Sequence, residues 1–186
     1  MNYVTSDWHL NHKRILSVCP KTRGQFDVIP YSLPYNLWIM NETMVHEFNQ
    51  TVNPTDTTYF LGDMGFGEYR LVSSLISRLN GKKVLVKGIH DHSLITKPTF
   101  GEQFTKIVDY LEEKIDGQKF VMMHYPVYDW NGQHHGTCHL HGHRHGTVHG
   151  IPGRILDVGF DATGKIVLPF VDIIERLRSI QPGKHH

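Results

Sequence analysis

Apolar residues recur along the chain in short β-prone runs, separated by longer stretches at helical spacing. Asn2–Ser6 reads as a first strand. Pro34 opens a segment, Tyr35–Gln50, in which Leu37, Met40, Met44, Val45 and Phe48 fall near helical spacing and so predict a helix. Asn53-Pro54-Thr55-Asp56 is a turn. Thr57–Leu61 reads as a buried strand. Tyr69–Leu79 reads as a helix with Leu71, Val72, Leu75, Ile76 and Leu79 on one face, stopped by Asn80-Gly81. Lys83–Lys87 reads as a third strand. This βαβαβ order predicts a sheet that begins largely parallel.

The second half follows a different rhythm. Ile107–Ile115 and Lys119–Met123, joined by Asp116-Gly117, predict a hairpin. A Gly/His-rich stretch follows, then a strand at Arg154–Val158, a turn at Ala162-Thr163-Gly164-Lys165, a strand at Ile166–Pro169 and a short helix at Phe170–Arg178. The expectation is two packed sheets with helices outside.

Length and composition narrow this picture. With 186 residues, the chain suits one domain with a sizeable core. Hydrophobic residues at 39% and charged residues at 20% are globular values, not those of a disordered chain. A formal net charge of +1 argues against a polycationic surface built for duplex nucleic acid. No run is long and apolar enough to cross a membrane, and the N-terminus lacks the features of a secretory signal. Two cysteines, Cys19 and Cys138, make no disulfide framework and fit a reducing compartment. The expected location is cytoplasmic.

The 15 histidines change the picture most, because they cluster late in the chain. Five polar clusters each follow an apolar strand-like run: Asp7-x-His9, Gly62-Asp63, Gly88-Ile89-His90-Asp91, His124, and Gly142-His143-Arg144-His145. On extended chain, residues two apart point to one side, so Asp7 should converge with His9 and His143 with His145. Clusters at the carboxyl ends of strands can meet in one cleft. Carboxylates mixed with imidazoles suit Mn, Zn, Fe or Ni. A carboxylate shared by two ions suits activation of water for attack on phosphorus.

Ser6-Asp7-Trp8-His9, Gly62-Asp63-Met64-Gly65, Lys87-Gly88-Ile89-His90-Asp91, His124-Tyr125-Pro126 and His141-Gly142-His143-Arg144-His145-Gly146 together resemble the calcineurin-like metallophosphoesterase superfamily, in particular its small bacterial and phage members. The resemblance implies an α/β fold: a four-layer α/β/β/α sandwich of two mixed sheets flanked by helices, forming a single domain over residues 1–181; the polar residues 182–186 read as a disordered tail. It implies two divalent ions, Mn2+ first, with Fe, Zn or Ni as alternatives. Asp7, His9, Asp63 and His145 would hold the first ion. Asp63 would bridge to the second, with His124 and His143 as further ligands. His90, oriented by Asp91, would sit near the leaving group, and a hydroxide between the ions would attack phosphorus in line. The implied substrate is a small phosphomonoester or phosphodiester, including a nucleotide or cyclic nucleotide. Nuclease action is the alternative within the enzyme class.

One position departs from the family motif, Gly-Asn-His followed by Asp or Glu. Ile89 stands where Asn would give an oxygen to the second ion, and its side chain has no donor or acceptor. That weakens the second ion and leaves a catalytically weak or inactive metal- or phosphate-binding protein as the competing reading. Among the other candidates, His12 reads as a substrate phosphate contact or a packing residue, and His139 and His141 as structural. Arg144 reads as solvent-facing or as a substrate contact, and His134, His135 and His149 as surface. Tyr125, Tyr128 and Trp130 read as cleft wall or core.

Overall fold

The computed structural model describes residues 1–147 and 150–183. His149 and residues 184–186 therefore lie outside the described residues. Nine strands are described: β1 (Asn2–Thr5), β2 (Thr57–Phe60), β3 (Lys82–Val86), β4 (Lys106–Val108), β5 (Tyr110–Ile115), β6 (Gln118–Met123), β7 (Cys138–His141), β8 (Ile155–Asp157) and β9 (Leu168–Pro169). The helices are α1 (Ile15–Val18), α2 (Pro20–Arg23), α3 (Leu33–Thr51), α4 (Tyr69–Ser77), α5 (His92–Ile95), α6 (Pro98–Gly101), α7 (Phe160–Thr163) and α8 (Phe170–Arg178).

The strands form two mixed sheets flanked by helices. One has the order β4-β3-β2-β1-β9 and the other β5-β6-β7-β8. In the first, β1 to β4 run parallel and β9 joins β1 antiparallel. In the second, β5 and β6 form an antiparallel hairpin, and β7 and β8 then run parallel to β6. The hairpin closes with Ile115 opposite Gln118, and both turn residues, Asp116 and Gly117, have positive φ. This is the backbone that a two-residue loop between twisted strands requires.

Alternation along the first sheet supplies both of its faces. Tyr3, Phe60 and Leu85 face α3 and α4, packing with Met40, Met44, Phe48, Val72 and Ile76. Val4, Tyr59, Leu61, Val84 and Val86 face the second sheet, meeting Phe120, Met122, Cys138 and Leu140, with Phe170 and Ile173 of α8 in the same cluster. Leu71 leaves the expected buried face of α4 and is exposed, because the stripe runs through Val72, Leu75 and Ile76. The expected turn at 162–165 is the end of α7, whose Gly164 takes φ 67°.

His139 is fully buried and packs against Trp130. It donates to Val121 O through Nδ1 and accepts the Val127 N–H through Nε2. Trp130 is thus a packing residue. At the chain end, Gly183 is buried against Gln133, so that part of the expected disordered tail is packed. Among the described residues, no helix is long and apolar enough to cross a membrane.

Candidate metal centre

The predicted clusters do meet, at the carboxyl ends of β1, β2, β3, β6 and β7. The backbone sews them together. Asp7 N–H donates to Gly62 O, and His9 N–H donates to Asp63 O. Gly142 N–H donates to His124 O, and Phe160 N–H donates to Ser6 O, which ties the two sheets at this edge.

The convergence does not arise from extended chain. Asp7, His9, Asp63, His143 and His145 have φ of 57°, 49°, 54°, 69° and 48°, in the left-handed region. Each strand has ended, and the chain curls so that its polar side chains turn into the cleft. Glycines admit the close approach this demands. A Cβ on Gly88 would collide with Asp63, and one on Gly142 would collide with Ser6 and Asp7.

Three sets of side chains lie at ligand spacing in the cleft: Asp7, His9 and His145; His9, Asp63 and His90; and Asp7, Asp63 and His124. Asp7 and Asp63 are each common to two of them. His9 Nε2 lies 3.8 Å from Asp7 and 3.9 Å from Asp63. His124 Nε2 lies 3.5 Å from Asp63, and His145 Nε2 lies 3.9 Å from Asp7. Both ring nitrogens of His9 and Nε2 of His124 are buried without a hydrogen-bond partner. Buried polar atoms are ordinarily satisfied. Unsatisfied imidazoles aimed at carboxylates fit a divalent cation of the Mn, Fe, Zn or Ni kind.

Two expectations need correction. Asp91 does not touch the His90 ring; its buried carboxylate instead accepts the backbone N–H groups of Asp63, Met64 and Gly88 at 2.8–2.9 Å. His143 joins none of the three sets. Its backbone N–H donates to Asp7, while its ring stands edge-on to Tyr125 and His124. His90, expected near a leaving group, has Nε2 only 3.8 Å from Asp63, within ligating reach of the same cleft. His12 lies beside His9, and its Nδ1 is buried without a partner. Arg144, His134 and His135 are exposed, as the pattern predicts.

No family model matches the sequence. Uncharacterized protein MJ1445 of Methanocaldococcus jannaschii is 31% identical over 145 residues, 77% of this chain and 68% of that one. The chain belongs to the family of that protein. A solved structure, the protein of unknown function AQ665 from Aquifex aeolicus, overlays with a TM-score of 0.71 at 22% identity, covering 95% of this chain and 98% of the other. The two chains share this fold. YfcE, a phosphoesterase from E. coli, overlays with a TM-score of 0.45 at 16% identity, covering 90% and 81% of the two chains.

The electrostatics of the cleft follow from burial and from the shared carboxylates. Burial pushes the Asp7 carboxyl up to about 6, against the pull of His124 and His145. Burial pushes His9 down to about 3, against the attraction of Asp63. At Asp63 burial acts upward, but the adjacent His124, the N–H of His90 and the charge of His9 outweigh it and hold the carboxyl well below the usual range. At His124 burial acts downward and the pairing with Asp63 wins, raising it to about 9.

Two residues escaped the sequence reading. Asp161, on α7 just beyond β8, accepts from His145 Nδ1 at 2.7 Å. Arg23, at the end of α2 and fully buried, pairs with Asp161. Phe66 is a third neighbour of the cleft, half-exposed against both His12 and His90. The Asp161 signal was available, since it follows a predicted strand as the other clusters do.

Proposed function

We propose that this chain is a metal-dependent phosphoesterase of the calcineurin-like metallophosphoesterase superfamily, acting on a small phosphomonoester or phosphodiester. One observation carries the reading: the carboxylates of Asp7 and Asp63 are each shared between sets of ligand-spaced histidines, among which both ring nitrogens of His9 and Nε2 of His124 are buried without a hydrogen-bond partner. Shared carboxylates are what two adjacent cations require. Asp7, His9, Asp63 and His145 would hold one ion, and Asp63 and His124 the other, with His90 adjacent. Mn2+ is the metal expected first. When bound, such ions supply Lewis-acid activation of water and of the phosphoryl group.

The chain's own residues supply the rest. Asp91 fixes the Asp63 loop against the His90 loop through its three backbone hydrogen bonds. His12 and His90 line the cleft beside His9 and can donate to phosphoryl oxygens. Phe66 and Tyr125, both partly exposed, flank it on two sides and offer aromatic faces to an aryl or nucleobase group. This supports a nucleotide-like ester, including a cyclic one.

The test is hydrolysis of an aryl phosphate diester and of cyclic nucleotides with and without added Mn2+, together with elemental analysis of protein purified without chelator. Metal-dependent turnover supports the reading. Retention of metal without turnover supports the second reading, a binding protein whose catalysis Ile89 has weakened; that reading is favoured by the Ile89 side chain, which has no donor or acceptor to give an ion. Absence of both metal uptake and turnover refutes the proposal.

A further inference from the structure

We infer that Asp161, held by Arg23, is a positioning residue that presents His145 to a metal ion and locks it in register with Asp7. The inference rests on the metal-dependent reading above.

Asp161 is almost fully occupied. Oδ1 accepts from Arg23 Nε at 2.8 Å and from the Thr22 hydroxyl. Oδ2 accepts from Arg23 Nη2 at 2.9 Å and pairs with His145 Nδ1 at 2.7 Å. Cys19, His145 and Asp161 also lie at ligand spacing. Here the Asp161 oxygens are already committed to donors from Thr22, Arg23 and His145. The carboxylate is placed to direct rather than to ligate.

The direction it gives is chemical. An imidazole that donates its Nδ1 proton to a carboxylate keeps its lone pair on Nε2. His145 Nε2 is the atom that faces Asp7, and the ring stacks on His9 at 5.1 Å. The hydrogen bond therefore selects the tautomer that a cation beside Asp7 and His9 needs.

Arg23 extends the control to the other side of the site. A guanidinium with no exposed surface needs an anion, and Asp161 meets that need. Its remaining donors are not left to water. Nη2 donates to Asp7 O at 2.6 Å and Nη1 to Trp8 O at 2.8 Å. One buried pair thus grips the backbone of Asp7 and the ring of His145, which belong to different sheets.

The test combines spectroscopy with Mn2+ titration. Long-range 1H–15N spectra of metal-free wild-type protein, at a pH where His145 is neutral, should show its proton on Nδ1. In Asp161→Asn, the neutral amide should release this preference, and the affinity for the first Mn2+ should fall by about 10–100-fold while that for the second changes little. Arg23→Lys keeps the charge but cannot reach both carbonyls and Asp161 together. It should weaken the same ion, and it provides the measurement should Asp161→Asn not fold. A wild-type Nε2–H tautomer, unchanged first-ion affinity in a folded variant, or equal weakening of both ions overturns the inference. Failure of wild-type protein to bind any Mn2+ or Zn2+ is a different result: it removes the metal reading itself, whatever the tautomer.

Discussion

The carboxylate of Asp91 accepts the backbone N–H of Asp63 at 2.9 Å, across the gap between the loops that follow β2 and β3. Asp91 thereby acts on the position of a shared carboxylate and leaves the His90 ring alone. Replacing it by Asn sets an amide NH2 against backbone donors in a buried site. Asp91→Asn should cost about 2–4 kcal/mol and lower metal content together with stability. Urea unfolding of metal-free protein checks this; a large activity loss with unchanged stability would restore a direct role beside His90.

Asp63 belongs to two ligand sets, whereas His145 belongs to one in the central cleft. Asp63→Asn keeps an acceptor for the His90 N–H and removes the negative charge. Elemental analysis should show both ions depleted in Asp63→Asn and only one depleted in His145→Gln. Equal depletion in the two variants would contradict the sharing.

Ile89 is exposed, so its replacement disturbs little packing. Ile89→Asn should change stability by less than about 0.5 kcal/mol. Calorimetric titration should show tighter uptake of the second Mn2+, and hydrolysis of an aryl diester should rise. Identical binding and rates would mean that position 89 does not face the ions.

Gly142 leaves no room for a methyl group between Ser6 and Asp7. Gly142→Ala should destabilise the fold by roughly 1–3 kcal/mol, by overpacking, and should displace Asp7. The expected readout is a lowered urea midpoint with weakened metal binding. Wild-type affinity in this variant would show that the Asp7 loop can move aside.

His139 gives the acid sensitivity a location. Burial lowers it from 6.5 to about 4. Between those values the unfolded chain binds a proton that the folded one does not, so stability falls as pH drops from about 6.5 towards about 4. Above 6.5 both states are neutral and the contribution is level. The full difference corresponds to roughly 3 kcal/mol. His139→Gln should flatten this part of the urea-midpoint profile; an unchanged slope would assign it to other groups.

Much of this architecture is legible in the residue pattern, because burial imposes period. The stripe Leu37–Met40–Met44–Phe48 specifies α3, and Asp116-Gly117 specifies the hairpin. The cluster of Asp7, His9, Asp63, His124 and His145 is legible because polar groups follow apolar strands. Their convergence is not legible from alternation, since they occupy left-handed backbone after the strands end. Arg23 was hidden for another reason. Arginine is seldom fully buried, and nothing near Pro20–Arg23 marks a partner that lies 138 residues away. The short helices α5 and α6, each four residues long, have no room for a periodic signature.

The left-handed backbone at Asp7, His9, Asp63, His143 and His145 also has a consequence for inheritance. Glycine adopts that conformation freely, whereas other L-residues pay in steric energy, on the order of 1–2 kcal/mol each. Glycine at these positions would relieve the steric strain while erasing the cleft. Persistence of acids and imidazoles there over generations would record continuous selection for what those side chains do.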